Sequence, residues 1–196
     1  DNKDSNGTNL LQSIGHYWEW ASLYCCGSRN AAGKVMGLAA FGEEINSNEE
    51  EILTINDYGE IKLDFLKINN SYNKANIFVS DLSNSKHHQD LAKRVQLETE
   101  NVILKLLNIL KKRFPSDNLY LSGGVALNVV ANERIKKSNL FKKIILNGSV
   151  EDNGTAIGAG IAANVNMGLE RKSSIIKDYY GRLYDEKEIM EAVLKF

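Results

Sequence analysis

The sequence predicts an α/β fold in which a mixed, partly parallel sheet is flanked by helices. Apolar residues recur at three- and four-residue spacing between positions 87 and 113, as they do in a long amphipathic helix. Beyond Pro115, two strand candidates alternate with two helical segments. The segments LSGGVALNVVANERI at 121–135 and EDNGTAIGAG at 151–160 are glycine-rich and each follows a strand candidate. Loops at the carboxyl ends of such strands are where α/β proteins bind ligands.

The other elements follow from local patterns. The predicted helical segments, besides the long helix, are 10–24, 34–41, 125–135 and 155–168. The predicted strands are EILTI and IKLDF around a turn, then NLYLS and FKKIIL. Phe114 and Pro115 end the long helix, because the residue before a proline disfavours helical backbone angles.

Composition excludes several classes of protein. The 196 residues are 43% hydrophobic and 25% charged, which is ordinary for a globular domain. A net charge of −1 gives no bulk field that favours nucleic acid or an anionic membrane. No apolar run approaches the length of a membrane span, and no signal peptide is visible. The adjacent Cys25 and Cys26 fit a reducing compartment, as small hydrophobic residues or as redox groups. We therefore expect a cytoplasmic protein with no nucleic-acid or membrane partner.

The first glycine-rich segment has the composition of a nucleotide-binding turn. Gly123 and Gly124 follow a strand candidate, and glycine lets a ligand approach the main chain closely. A helix behind such a turn directs unpaired N–H groups at phosphate or ribose oxygens. The phosphate-binding pattern GxxxxGK[ST] and the dinucleotide pattern GxGxxG are both missing. The turn is therefore either structural or ligand-binding, and Asn128 can bond a ribose or the neighbouring loop.

Asp152 and Lys34 each allow two interpretations. Asp152 precedes a helix of small residues, where a carboxylate acts as an N-terminal cap or as a ligand for a divalent metal. Lys34 lies beside glycines, where its ammonium is solvated or binds a phosphate. His87 and His88 are adjacent and favour a polar helix start over a chelate. Composition and spacing thus predict nucleotide binding without specifying a reaction.

Four motifs carry a family resemblance. They are GKVMGLAAFG at 33–42, DLAKRVQLETENVILKLL at 90–107, LSGGVALNVVAN at 121–132 and EDNGTAIGAG at 151–160. In this order they resemble the O-carbamoyltransferases of the nodulation and antibiotic-tailoring type, whose pattern reads approximately KVMGLAPYG, DLAxxxQxxTE, GGVALNxxxN and DxGTAxGAA. The resemblance extends from about Gly15 to Ala163. The departures are Ala40 and Phe41 in place of Pro-Tyr, and Asn153 in place of a small residue.

The resemblance implies a ribonuclease H-like lobe of the actin and sugar-kinase type. It also implies a transfer domain that binds carbamoyl-adenylate, which a second domain makes from carbamoyl phosphate and ATP. The carbamoyl group then moves to the hydroxyl of a small-molecule acceptor, a sugar or natural product. A divalent metal, expected to be Fe(II), is held by an aspartate and a His-x-x-x-His pair, and we expect that pair upstream of Asp1.

By the same resemblance, six residues have expected roles. The predicted nucleotide-binding residues are Lys34, Gly123, Gly124, Asn128 and Gly154. Asp152 is the predicted metal ligand and catalytic residue.

The resemblance also predicts how the chain is organised. Residues 1–8 are expected to be a disordered edge, 9–170 the C-terminal part of the transfer domain, and 171–196 a connector to a further domain. An amphipathic helix is expected from Asp185 to Leu194. We expect the isolated chain to be inactive, because half of the cleft and the adenylate-forming domain are missing from it.

Two other functions remain open from the sequence. A kinase-like or ATPase lobe of the actin and sugar-kinase type would transfer phosphate with magnesium, although the KVMGLA and DLAxxxQ segments argue against it. A non-catalytic nucleotide-binding module would bind the adenylate without turnover.

Overall fold

The computed structural model describes residues 12–43, 50–64, 66–68, 86–146, 148–169 and 182–195. The chain divides into two compact units, Asp1–Leu146 and Asn147–Phe196. The predicted edge at 1–8 lies outside the described residues, and the predicted domain boundaries stay predictions.

The helices of the first unit agree in position with those expected from the sequence. The α-helices are α1 (Ile14–Cys26), α2 (Ala32–Leu38), α3 (Lys86–Arg113) and α4 (Val129–Lys137). Short 3-10 turns at Ala39–Phe41 and Gly124–Leu127 follow α2 and precede α4. The predicted helix at 125–135 is therefore two pieces, a 3-10 turn and then α4.

The described strands form two separate pairs, which differs from the single mixed sheet that the sequence predicts. Strand β1 (Leu53–Ile55) pairs with β2 (Ile61–Leu63) as an antiparallel hairpin. Strand β3 (Asn118–Leu121) pairs in parallel with β4 (Lys143–Leu146). The hairpin packs on α3 through β1, and it forms no pairing with β3 or β4 among the described residues. The parallel pair joined through α4 confirms the α/β class.

Helix α3 is the centre of the first unit, and it contacts α1, α2, α4 and β1. The buried stripe predicted from its periodicity is confirmed, because Ala92, Val95, Thr99 and Val102 are at most 4% exposed. Apolar side chains of α1, α2 and the hairpin pack against that stripe. Burial of this face explains why α3 is helical over 28 residues.

The carboxylate of Glu98, in the middle of α3, accepts four hydrogen bonds. Its Oε2 accepts from the hydroxyl of Tyr17 and from the backbone N–H of Leu53, both at 2.9 Å. Its Oε1 accepts from the N–H of Ile52 at 3.1 Å and from Nε of Arg94 at 2.8 Å. One side chain therefore joins α1 and the start of the hairpin to α3.

A second buried hydrogen bond joins α1 to α3 beside the Glu98 carboxylate. The indole Nε1 of Trp18 donates to the hydroxyl of Thr99 at 2.9 Å. Burial, and then the Glu98 carboxylate beside it, raise the pKa of Tyr17 well above its usual range, so the hydroxyl remains a donor.

His88 is fully buried, whereas the sequence suggested a polar helix start at His87 and His88. Its ring is 0% exposed, and neither ring nitrogen has a hydrogen-bond partner in the described part of the chain. Tyr24 explains this burial: its ring lies 5.3 Å from that of His88, and its hydroxyl is 2.9 Å from Nε2 of His87. His88 in the first turn of α3 is therefore part of the core, whereas Lys86 and His87 beside it are exposed.

The second unit contains α5 (Asp152–Asn166) and α6 (Glu186–Leu194) in its described residues. The amphipathic helix predicted at Asp185–Leu194 is confirmed. Asp185 caps α6 by accepting from the N–H of Glu188 at 2.8 Å, and the Glu188 carboxylate accepts from the N–H of Asp185 in return. No helix in the described ranges combines the length and apolar character that a membrane span requires.

Glu98→Gln is expected to lower the free energy of unfolding by about 3 kcal/mol, because it leaves buried donors and the Arg94 guanidinium without their carboxylate. Urea unfolding measures the change. The matched control is Glu133→Gln, whose exposed carboxylate pairs with Lys137 and contributes little. Equal effects of the two substitutions would contradict the role given to Glu98.

His88→Leu is expected to reduce the loss of stability in acid. Burial, and then repulsion from His87, lower the pKa of His88. As the pH falls through about 6.5, His88 is therefore protonated in the unfolded chain before it is protonated in the folded chain. Stability present above pH 6.5 is therefore lost as the pH falls below it. Urea unfolding at pH 7 and pH 5 measures the difference, with His16→Gln as a control that keeps it. An unchanged acid dependence in His88→Leu would contradict this account.

Candidate functional site

The turn after β3 has a backbone conformation that requires glycine. Gly123 has φ 92° and ψ 161°, a region that residues with a Cβ essentially do not occupy. A Cβ built at Gly123 would meet no atom within 4 Å, so the space beside the turn is open. Gly123 and Gly124 are both exposed, and no described residue accepts a hydrogen bond from their backbone N–H groups. The turn can therefore present free donors to a ligand.

Asn128 lies at the junction between the 3-10 turn and α4. Its backbone is extended, with φ −74° and ψ 92°, and its N–H donates to the carbonyl of Val125 at 3.1 Å. Its side-chain Oδ1 accepts from the N–H of Ala131 at 2.9 Å, so Asn128 is the N-terminal cap of α4. This cap explains why the predicted single helix begins again at Val129.

The carboxamide of Asn128 also faces α3. Its Nδ2 donates to Oε1 of Gln96 at 2.9 Å, and its Oδ1 accepts from Nε2 of Gln96 at 3.2 Å. Asn128 is 8% exposed and Gln96 is 4% exposed. The described contacts of the Asn128 side chain are thus internal, and its contact with a nucleotide stays a prediction.

Gln96, Glu100 and Arg134 are site residues that sequence reasoning missed. Gln96 Nε2 donates to Oε1 of Glu100 at 2.7 Å, and Arg134 of α4 pairs with Oε2 of Glu100 at 2.9 Å. The available signal was the four-residue spacing of Gln96 and Glu100 beside the apolar stripe of α3, since polar residues there must find buried partners.

Lys34 lies on the exposed side of α2 in the first unit. Its ammonium has no hydrogen-bond or ion-pair partner among the residues that the structure describes, so it is available to an anion. Cys26 is its neighbour, and Lys34 lowers the pKa of that thiol less than burial raises it. Burial also raises the pKa of Cys25 to about 12, so both cysteines behave as small hydrophobic residues rather than thiolates.

Asp152 is the first residue of α5 and is exposed. The N-cap position is Glu151, whose side chain makes no capping bond. The Asp152 carboxylate accepts no hydrogen bond from the described residues, and Asp152 is not the N-cap of α5. One exposed carboxylate fits one ligand position of a hard divalent ion. No group of three or more His, Cys, Asp or Glu side chains in the described ranges is placed to complete such a site.

Gly154 is required by a close approach of two backbone segments. A Cβ at this position would lie 2.2 Å from the carbonyl oxygen of Ser149. The N–H of Gly154 donates to the carbonyl of Glu151 at 2.9 Å. The glycine therefore allows the loop before α5 to fold tightly against the helix start that carries Asp152.

The predicted site residues fall in both units. Gly123, Gly124 and Asn128 form one turn in the first unit, which also contains Lys34 on α2. Asp152 and Gly154 lie in the second unit.

Comparison with known proteins identifies the family. The family described as "Carbamoyltransferase N-terminus" matches residues 2–161. The chain belongs to this carbamoyltransferase family. The match includes all four motifs, and it confirms the resemblance seen in the sequence.

Several longer proteins are related to this member of the carbamoyltransferase family. The uncharacterized protein sll1178 of Synechocystis is 30% identical over 83% of the chain, which spans 29% of that protein. Nodulation protein NolO of Bradyrhizobium diazoefficiens is 26% identical over 75% of the chain, which spans 27% of that protein. Nodulation protein NolNO of Sinorhizobium fredii is 23% identical over 75% of the chain, which spans 22% of it.

Gly154→Ala is expected to displace the start of α5, because its Cβ would overlap the Ser149 carbonyl. Gly158→Ala is the matched control in the same helix: its Cβ meets no atom within 4 Å, and alanine favours a helix by about 1 kcal/mol over glycine. Amide hydrogen exchange of 152–158 is expected to accelerate in the first variant and to slow in the second. Slowed exchange in both would contradict the tight approach at Gly154.

Proposed function

We propose that this chain is part of the transfer domain of an ATP-dependent O-carbamoyltransferase. The domain would move a carbamoyl group from carbamoyl-adenylate, made from carbamoyl phosphate and ATP, to the hydroxyl of a sugar or natural product. The family match supports carbamoyl transfer in general. We extend the proposal to a nucleotide because the turn at Gly123 and Gly124 is exposed and its N–H groups have no acceptor among the described residues.

The turn is suited to an adenylate for two physical reasons. The glycines leave no side chain between the backbone and a ligand, so ribose or phosphate oxygens can approach the N–H groups directly. The turn is also held at both ends, by β3 before it and by the Asn128 cap after it. A donor that is already fixed in place loses little entropy when it binds. Lys34 in the same unit is exposed and has no ion-pair partner among the described residues, so its ammonium is suited to a phosphate oxygen.

The transfer step requires little more than positioning. The acceptor oxygen bonds to the carbamoyl carbon, the bond from that carbon to the phosphate oxygen breaks, and AMP leaves with the electron pair. The acceptor hydroxyl releases its proton to solvent. Because the adenylate is already activated, holding it beside the hydroxyl supplies much of the acceleration.

Asp152 is the residue of this chain that would bind the divalent metal, proposed to be Fe(II). When bound, such an ion polarises oxygen atoms of its ligands as a Lewis acid. The exposed carboxylate at the start of α5, which accepts no hydrogen bond from the described residues, supports this assignment. We further propose that the β3–β4 pair is part of a ribonuclease H-like sheet, and that the protein is cytoplasmic.

Asp152→Ala in the full-length protein is expected to lower carbamoyl transfer at least 100-fold, roughly the effect of disturbing a metal site. Carbamoyl phosphate-dependent release of pyrophosphate from ATP should stay at the wild-type rate, because the other domain performs it. Transfer is measured as carbamoylated acceptor in a mixture of candidate sugars.

Glu151→Gln is the control, since it removes a neighbouring exposed carboxylate and should leave both activities unchanged. Full transfer by Asp152→Ala would overturn the metal assignment. Phosphorylation of the acceptor without carbamoyl phosphate would overturn the carbamoyltransferase proposal in favour of a kinase.

A further inference from the structure

We propose that Gln96 is a positioning residue for the nucleotide site, because its carboxamide holds Asn128 and thereby fixes the turn at Gly123 and Gly124. The inference rests on the proposed function, in which that turn binds the adenylate. Gln96 lies on α3, far from the turn in sequence, and its described hydrogen bonds go to Asn128 and Glu100 and not to the glycines.

The two carboxamides form a reciprocal pair. Asn128 Nδ2 donates to Gln96 Oε1 at 2.9 Å, and Gln96 Nε2 donates to Asn128 Oδ1 at 3.2 Å. Both residues are more than nine-tenths buried. A buried pair in which each side chain is both donor and acceptor has one arrangement that satisfies all its groups, so it fixes the relative position of the two backbones.

Asn128 transmits this position to the turn through short connections. Its own N–H closes the 3-10 turn on Val125, and the Asn132 side chain donates to the carbonyl of Ala126 at 2.7 Å. Gly124 is the first residue of that 3-10 turn. A change in the position of Asn128 therefore displaces the 3-10 turn that begins at Gly124.

Glu100 and Arg134 complete the connection between the two helices. Glu100 accepts from Gln96 on one oxygen and from Arg134 of α4 on the other. The Glu100 carboxylate thus orients the Gln96 carboxamide, because Nε2 of Gln96 donates both to Glu100 and to Oδ1 of Asn128. Within this network, Gln96 is the residue of α3 that hydrogen-bonds to Asn128, the cap of α4.

Thr99 provides a matched control on the same helix. It is 0% exposed and accepts from Trp18 of α1 at 2.9 Å. Its hydrogen bond is as buried as those of Gln96, but it leads to α1 rather than to the turn. Thr99→Val and Gln96→Met both remove a buried polar contact with little change in side-chain size, so both are expected to lower the melting temperature.

The experiment measures AMP binding by calorimetry in the full-length protein. Gln96→Met is expected to raise the Kd for AMP about tenfold, while Thr99→Val keeps it within twofold of wild type. Amide exchange at 124–127 without nucleotide should accelerate in Gln96→Met and not in Thr99→Val. If Gln96→Met fails to fold, Gln96→Asn decides, because it keeps the carboxamide but is too short for the pair and should raise the Kd by a smaller factor.

The outcomes separate this inference from the proposed function. If the wild-type protein binds AMP and the Gln96→Met and Thr99→Val variants have equal Kd values, the positioning role is overturned and the proposed function stands. Failure of the wild-type protein to bind AMP would overturn the nucleotide site itself, and the inference with it.

Discussion

The buried carboxylate of Glu98 is the interaction on which the first unit depends. Its four hydrogen bonds come from α1, from the backbone before and in β1, and from α3 itself. A carboxylate can be buried only when its oxygens are satisfied, so the three elements must meet at this point. Apolar burial along α3 supplies the driving force, but it is not directional, and the carboxylate selects one arrangement.

The turn of α3 from Gln96 to Glu100 connects this core to the candidate site. Glu98 and Thr99 bind α1 and the hairpin, while Gln96 and Glu100 bind the cap and body of α4. The same helical turn therefore both stabilises the core and sets the position of the glycine turn. Substitutions of Glu98 or Thr99 should therefore lower only stability, whereas substitutions of Gln96 or Glu100 should lower ligand affinity as well.

Much of the fold could be predicted from the sequence where the physics is local. The period of α3, the strand candidates and the capped helix at Glu186–Leu194 follow from apolar spacing and cap residues. The burial of His88 could not be predicted, because it depends on the ring of Tyr24 arriving from α1. The separate strand pairs likewise depend on tertiary packing of the hairpin against α3.

The candidate site shows the same division between local and long-range information. The need for glycine at Gly123 and at Gly154 could be predicted as tight turns, and the structure supplies a separate reason for each. The pairing of Asn128 with Gln96 spans 32 residues and could not be read from either motif alone. Asp152 was ambiguous between cap and ligand; the structure places Glu151 at the N-cap, and the role of Asp152 as a metal ligand stays a prediction.

A crystal structure of the full-length protein with AMP bound tests the central claim most directly. The account predicts ribose or phosphate oxygens within hydrogen-bond distance of the Gly123 or Gly124 N–H groups, with the Gln96–Asn128 pair intact behind them. AMP bound elsewhere, with the glycine turn free of contact, would contradict the account.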